Sequence, residues 1–233
     1  MINTKFINPS FRPSNIDTYF IRTSIYKALK ANYQSFKGTF LDVSCGFMPY
    51  KEVVLENKSV EKYLGIDIDY GHDYGMKPDM YWTTEGNIPL PDASIDSAMA
   101  TEVLEHCPNP QQVLNEVARV LKPEGFFFAT VPFLWPHHEI PYDEHRYTAF
   151  ALKRMMQTAG FQNITVQALG GWEASLAQVL GLWIRRRKKP KLVKIALSIL
   201  FYPLIGLLIW LDKPPKEVGE GMLVTNFSIT GNK

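Results

Sequence analysis

The stretch 39-TFLDVSCGFMPY-50 decides the fold. Thr39 to Val43 is a short apolar run that breaks into a polar turn containing one glycine, the pattern of a buried strand ending in a tight turn. Outward from it the pattern recurs: Tyr63 to Ile68 (YLGIDI) ends in acids, Ile95 to Ala100 (IDSAMA) runs into TEVLEHC, and Phe126 to Val131 (FFFATV) ends at Pro132. Helical patterns lie between and after them: PQQVLNEVARVLK at 110–122, stopped by Pro123 and Gly125, and a segment from Thr148 to Ala159 closed by Gly160. Ahead of the first strand, Ile16, Phe20, Ile21, Ile25, Tyr26 and Leu29 recur at helical intervals, with Ser14 or Asn15 as cap. Further strands are expected at 164–169 and 222–229. Short buried strands alternating with helices predict an α/β fold, a Rossmann-like doubly wound, mostly parallel sheet.

A chain of 233 residues with 46% apolar side chains can bury one good-sized core. Three regions are expected: an N-terminal helical segment (1–37), a core (38–171 and 219–233), and a helical insertion (172–218), both basic and apolar. The formal charge of +2 conceals an asymmetry. Arg185, Arg186, Arg187, Lys188, Lys189, Lys191 and Lys194 crowd into ten residues, and without these seven the chain carries 18 basic against 23 acidic groups. Two cysteines, Cys45 and Cys107, are too few for a disulfide framework and fit a reducing, cytoplasmic compartment. The first fifteen residues hold no apolar run of signal-peptide length.

In an open parallel sheet, ligands bind beyond the carboxyl ends of the strands, where strand order reverses. Asp42, Ser44, Cys45 and Gly46 follow the first strand, Asp67 and Asp69 close the second, Thr101, Glu102 and His106 follow the third, and His137 and His138 follow the fourth. A carboxylate after the second strand can accept both hydroxyls of a ribose. The G-x-G-x-x-G turn that seats a dinucleotide pyrophosphate is missing from SCGFM, which points to a nucleoside ligand without pyrophosphate.

Taken in order, LDVSCG, GIDID, IPLPDASIDSAMATEVLEHCPNP and EVARVLKPEGFFFATVPF resemble the class I S-adenosylmethionine-dependent methyltransferases over about residues 38–170. The resemblance implies an antiparallel last strand, with the insertion placed before it. It also implies a cofactor site: Asp42, Ser44, Cys45 and Gly46 around the methionine part, Asp67 with Ile68 at the ribose, Thr84, Glu85 and Gly86 at the adenine, and Thr101, Glu102 and His106 lining the methionine side. The family's three turn glycines are reduced to Gly46, with Ser44 and Met48 in the flanking positions. The continuation FMPY resembles a bacterial subgroup of glycan and envelope biosynthesis methyltransferases.

Methyl transfer from a sulfonium needs the nucleophile about 3 Å from the methyl carbon, and a proton acceptor when that nucleophile is a hydroxyl. The loop 133–148 is where such a base is sought, since His137, His138, Glu139, Tyr142, Asp143, His145, Arg146 and Tyr147 fall within eleven residues. The subgroup resemblance extends to His138, Glu139, Tyr142, Asp143, Arg146 and Tyr147. His138 is read as general base, with Asp143 or Glu139 orienting it and Arg146 binding an anionic part of the acceptor. Alternatively, Asp143, Arg146 and Tyr147 are a network that pins the loop. Histidines in an irregular loop lack the i, i+4 helical presentation of a zinc motif, and no metal site is expected.

Residues 192–211 (LVKIALSILFYPLIGLLIWL) have the length and composition of a membrane span. Both flanking strands belong to one sheet, which excludes a single crossing. Pro203 and Gly206 sit where a helix would kink or break, so a hairpin or two short helices lying in the lipid interface are expected, with Trp183, Tyr202 and Trp210 at headgroup depth. The basic run adds roughly 1 kcal/mol per charge at an anionic leaflet. The same stretch can be read as a homodimer interface or as a cover for the sheet. Aliphatic neighbours of the basic residues argue against nucleic acid.

These readings converge on an S-adenosylmethionine-dependent methyltransferase at the cytoplasmic face of the membrane, acting on a small-molecule or lipid-linked glycan acceptor. The alternatives are an enzyme that methylates a lipid-soluble molecule such as a quinone precursor, and a non-catalytic membrane scaffold.

Overall fold

The computed structural model describes residues 5–7, 9–69 and 76–233, so residues 1–4 of the N-terminal segment lie outside it. Seven strands, β1 (Gly38–Val43), β2 (Val60–Ile68), β3 (Met80–Trp82), β4 (Ile95–Thr101), β5 (Leu121–Pro132), β6 (Gln162–Leu169) and β7 (Asn226–Asn232), form one sheet in the order β3-β2-β1-β4-β5-β7-β6. The first five pair in parallel, and β7 enters antiparallel between β5 and β6. The expected Rossmann-like sheet and its antiparallel last strand are both present. Strand order reverses between β1 and β4, which opens the ligand crevice at the carboxyl edge there.

Alternation along the central strands serves two cores. On β5, Phe127 joins Leu41, Ala98 and the apolar faces of α3 (Pro110–Val120) and α4 (Ala149–Thr158). Its neighbour Phe128 points the other way, to Phe36, Phe40, Met99 and the Ile21, Ile25 and Leu29 face of α1 (Tyr19–Ala31). Asn109 caps α3 through Gln112 N, and Thr148 caps α4 through Ala151 N.

Several boundaries differ from the sequence reading. The first helix begins at Tyr19, because Asn15 spends its side-chain oxygen on the amide of Arg12 and closes a short turn instead. Helix α3 stops at Val120, since Leu121 is already paired with Ile95. The last strand lies at 226–232 rather than 222–229. Its polar residues Asn226, Ser228 and Thr230 are laddered on both sides, and hydrogen-bonding capacity in the middle of the sheet outweighs the apolar run at 222–224.

The largest correction concerns the insertion. Pro203 does not break the helix: α6 (Lys191–Leu211) is continuous for 21 residues, about 31 Å. The hairpin is made instead by α5 (Trp172–Arg186) packed against α6, and the basic run spans the turn between them, with Arg187, Lys188 and Lys189 in the turn and the other four in the helix ends. The hydrogen bond lost at Pro203 is offset by packing of Ile205, Phe201 and Tyr202 against Phe11, Ile16, Ala177 and Ile184. Asp212 closes the open end, its Oδ1 accepting from Gly171 N and Ala174 N at 2.9 Å and so capping α5 from beyond α6.

Candidate active site

The turn after β1 holds Ser44, Gly46 and Met48, each at φ 51°. All three of the resemblance's glycine positions therefore keep the left-handed backbone, at a cost of about 1 kcal/mol each for Ser44 and Met48. Hydrogen bonds from Cys45 N to Ile66 O (2.9 Å) and from Met48 N to Cys45 O (2.8 Å) hold the turn. The Cys45 thiol is buried, and its pKa is raised, first by burial and then by Asp42 and Asp67, so it is a packing group.

Four acids ring this crevice. Asp42, 2% exposed, accepts a hydrogen bond from the Tyr63 hydroxyl. Burial pushes its carboxyl up to about 7, the Tyr63 bond opposing and Asp67 reinforcing. Asp67 accepts from Ile68 N and Gly46 N, both at 2.9 Å, yet burial still raises its pKa. Asp79 accepts from Gly65 N at 2.7 Å. Glu102, at φ 56°, has one carboxyl oxygen without a hydrogen-bond partner among the described residues, and burial lifts it to about 7 against the pull of Thr130 and Arg146. Burial raises Asp42, Asp67 and Glu102, and a ligand that carries positive charge would stabilise their carboxylate forms.

The turn after β3, closed by Gly86 N to Thr83 O at 2.9 Å, lies beside the end of β2 because Asp67 and Ile68 are in register with Tyr81 and Trp82. Thr84 is buried there while Glu85 is exposed. Thr101 ends β4, and His106 ends the short helical turn Leu104–His106 that follows it.

The 133–148 loop is organised by Asp143, whose side chain is 1% exposed. Arg146 grips it with both arms, Nη1 to Oδ1 at 2.6 Å and Nη2 to Oδ2 at 2.9 Å, and donates further to the carbonyls of His145 and Trp135. Burial alone would raise the Asp143 pKa, but the guanidinium outweighs it and holds the carboxyl well below the usual range. The Tyr147 hydroxyl donates to Leu104 O at 2.6 Å and its ring is buried. Arg146 and Tyr147 therefore pin the loop, the network that the sequence also allowed, with both terminal nitrogens of Arg146 engaged by Asp143 and by the His145 and Trp135 carbonyls. His138 does stand against Asp143, with Nδ1 at 3.5 Å and the amide at 3.3 Å from Oδ2, while His137 is largely exposed. Phe133, Trp135, Pro136, His137, Glu144 and His145, with Asp143 and Arg146, line a cleft of about 280 Å³.

Sequence reasoning named Glu102 and His106 but passed over Glu105 between them. Its side chain is fully buried, and neither carboxyl oxygen has a hydrogen-bond partner among the described residues, although Oε1 lies 3.7 Å from His106 Nε2. The signal lay in the sequence as an acid inside an apolar TEVLEHC run. Trp135, which carries Arg186 of α5 over its ring at 5.7 Å, was also passed over.

Residues 41–129 match the family model described as "Methyltransferase domain". A Mycolicibacterium smegmatis protein described as a probable S-adenosylmethionine-dependent methyltransferase is 33% identical over 81 residues, 32% of this chain, and the match spans about a third of that relative's length (32%). Among solved structures, an S-adenosylmethionine-dependent methyltransferase from Mesorhizobium loti aligns at TM-score 0.57 with 16% identity, covering 90% of this chain and 98% of that one. One from Archaeoglobus fulgidus aligns at TM-score 0.56 with 16% identity, covering 91% and 93%. The two structures share the sheet order's fold class with this chain, and the sequence match falls on the strands and turns that build the crevice.

Proposed function

We propose that this chain, which matches the family model described as "Methyltransferase domain" over residues 41–129, transfers the sulfonium methyl of S-adenosylmethionine to a hydroxyl of a lipid-linked sugar or related envelope glycan precursor. The transfer takes place at the cytoplasmic face of a membrane. As the acceptor oxygen bonds to the methyl carbon, the sulfur–methyl bond breaks and its electron pair stays on sulfur. The hydroxyl proton passes to His138, an imidazole kept neutral first by burial and then by the neighbouring His106. The acids Asp42 and Asp67 receive the cofactor's methionine and ribose parts, and the 83–86 turn its adenine.

One observation carries the membrane reading. Thirteen of the nineteen exposed large apolar side chains among the described residues lie on the α5–α6 hairpin, among them Trp210 at 78%, Leu200 at 69% and Ile199 at 60%. Such concentration on one element marks a docking surface. The hairpin leaves and re-enters the sheet at the carboxyl edge, and Arg186 lies over Trp135 of the acceptor cleft. Arg186, at the end of α5 where the basic turn begins, therefore stands beside the candidate acceptor cleft. An interfacial hairpin of this kind is anchored by buried aliphatic area together with cationic attraction to anionic lipid.

Flotation with vesicles of phosphatidylglycerol and phosphatidylethanolamine tests it. The wild-type chain floats, and Leu200→Ser with Ile199→Ser loses flotation at all salt concentrations. Arg187→Glu with Lys188→Glu loses it on anionic vesicles. Equal flotation of wild type and both variants would overturn the membrane reading. A labelled-methyl assay on envelope lipid extract against a quinone-precursor extract then fixes the acceptor class.

A further inference from the structure

We infer that Glu105, His106 and His138 form a site for a divalent transition-metal cation beside the acceptor cleft. Their ligating atoms lie within 4.8 Å of one another, one from each side chain. The two nitrogens and one carboxylate are borderline donors that suit Zn²⁺, Mn²⁺ or Fe²⁺ rather than Ca²⁺, and three protein ligands leave a coordination position for an outside oxygen.

Two features of the site point to an absent positive charge. Glu105 is fully buried, and neither carboxyl oxygen has a hydrogen-bond partner among the described residues. An acid in that state costs several kcal/mol if ionised and unpaired, whereas a cation supplies both charge and bonds. Its position is fixed by the loop, since Glu144 N and His145 N both donate to the Glu105 carbonyl, at 2.9 and 3.1 Å. Second, His106 is already oriented as a ligand. Its Nδ1 lies 3.2 Å from the Tyr142 carbonyl, which fixes the Nδ1–H tautomer and leaves the Nε2 lone pair 3.7 Å from Glu105 Oε1. A histidine anchored by one nitrogen through a backbone carbonyl and free at the other is the usual outer-shell arrangement of metal sites.

A tetrahedral shell with bonds of about 2.1 Å sets ligand atoms about 3.4 Å apart. His106 and Glu105 are close to that spacing, and the His138 ring, edge-on to His106 at 4.7 Å between centroids, needs a small rotation. The side chains of His106 and His138 are 23% and 27% exposed, which gives an ion a path in from solvent. Asp143 stands behind His138 in the position of an outer-shell carboxylate. The loop's adjacent histidines argue against a metal motif by spacing alone. The fold recruits only one of them, His138, and takes its other two ligands from the turn after β4.

A cation here would polarise an acceptor hydroxyl; with His138 then a ligand, the hydroxyl proton would leave to solvent water, and His138 would accept it only in metal-free protein. The inference shares the acceptor side with the proposed reaction but does not rest on it. Full-length protein stripped with EDTA is titrated calorimetrically with Zn²⁺, and with Co²⁺ by its visible d–d absorption. One tight site per chain is expected. Glu105→Gln and His138→Ala should each weaken Zn²⁺ roughly tenfold or more, while His137→Ala, in the same loop but outside the cluster, leaves it unchanged. Thermal melts establish that each variant is folded, and Glu105→Gln, which removes only an uncompensated buried acid, retains the fold. Unchanged Zn²⁺ affinity in Glu105→Gln and His138→Ala, or no binding by wild type, would sink the proposal. Neither result bears on S-adenosylmethionine binding, which a separate titration without metal measures.

Discussion

The backbone amide of Gly46 donates to Oδ2 of Asp67 at 2.9 Å, tying the turn after β1 to the end of β2. The bond joins the two halves of the candidate cofactor crevice, and Asp67 also accepts from Ile68 through its other oxygen. Each carboxylate oxygen keeps a second acceptor site for a ribose hydroxyl. Asp67→Ala should therefore weaken S-adenosylmethionine at least about tenfold, as loss of a hydrogen bond to a charged group does. Calorimetric titration reads it, and an unchanged affinity removes the ribose assignment.

Asp42 gives a proton-linked prediction. Its carboxyl keeps its proton up to about 7 in the folded chain but loses it near 3.8 when exposed. Between those values the native state binds the extra proton, so Asp42 makes the fold less stable as pH rises through that window. Asp42→Asn should flatten the slope of the urea midpoint between pH 4 and 7. Cofactor binding near pH 6.5 should release a fraction of a proton as the carboxylate forms against positive charge, seen as an enthalpy that varies with the buffer's ionisation heat. A buffer-independent enthalpy would contradict this.

Asp143 behaves oppositely. Arg146 depresses its pKa in the folded state, so the stability it contributes is fully present above the ordinary carboxyl range near 3.8 and is lost as pH falls below it. Arg146→Ala leaves a buried carboxylate unpaired and should cost about 3 kcal/mol, the low end for a buried pair because Arg146 is a quarter exposed. Denaturant unfolding at pH 7 measures the loss. At pH 3 the gap should narrow but persist, because Asp143 stays ionised in the folded wild type well below 3.8, and an equal gap at both pH values would refute the role.

Gly181 faces the N-terminal segment so closely that a β-carbon would collide with the Ile16 carbonyl oxygen and stand 2.8 Å from its carbon. Gly181→Ala gains about 1 kcal/mol of helix propensity and loses about 1–3 kcal/mol to overpacking. A net fall of a few degrees in Tm is expected. A rise in Tm would show that the hairpin is not seated on residues 11–17.

The parallel strands and both amphipathic helices, α3 and α4, were legible because each buried residue repeats at the period of its element, as Val113, Leu114 and Val117 do. Asp42, Gly46 and Asp67 were legible because the strand ends fix where ligand groups must stand. Strand β3 was not: Met80–Trp82 is too short to show a period. The continuity of α6 through Pro203 was hidden too, since it depends on Phe11 and Ile16, nearly 190 residues away in sequence. For Arg146 the sequence left two readings open, an anion-binding group or a network with Asp143 and Tyr147; the Asp143 pairing was within its reach, whereas the carbonyls of Trp135 and His145 as further acceptors were not.

Because β6 ends and β7 begins at the same edge, and Asp212 ties α5 to the residue following α6, residues 170–225 leave the sheet and rejoin it without threading through it. A short turn could replace the whole excursion while every strand kept its neighbours. The hairpin is in this sense a detachable module, written apart from the strand ends that build the crevice.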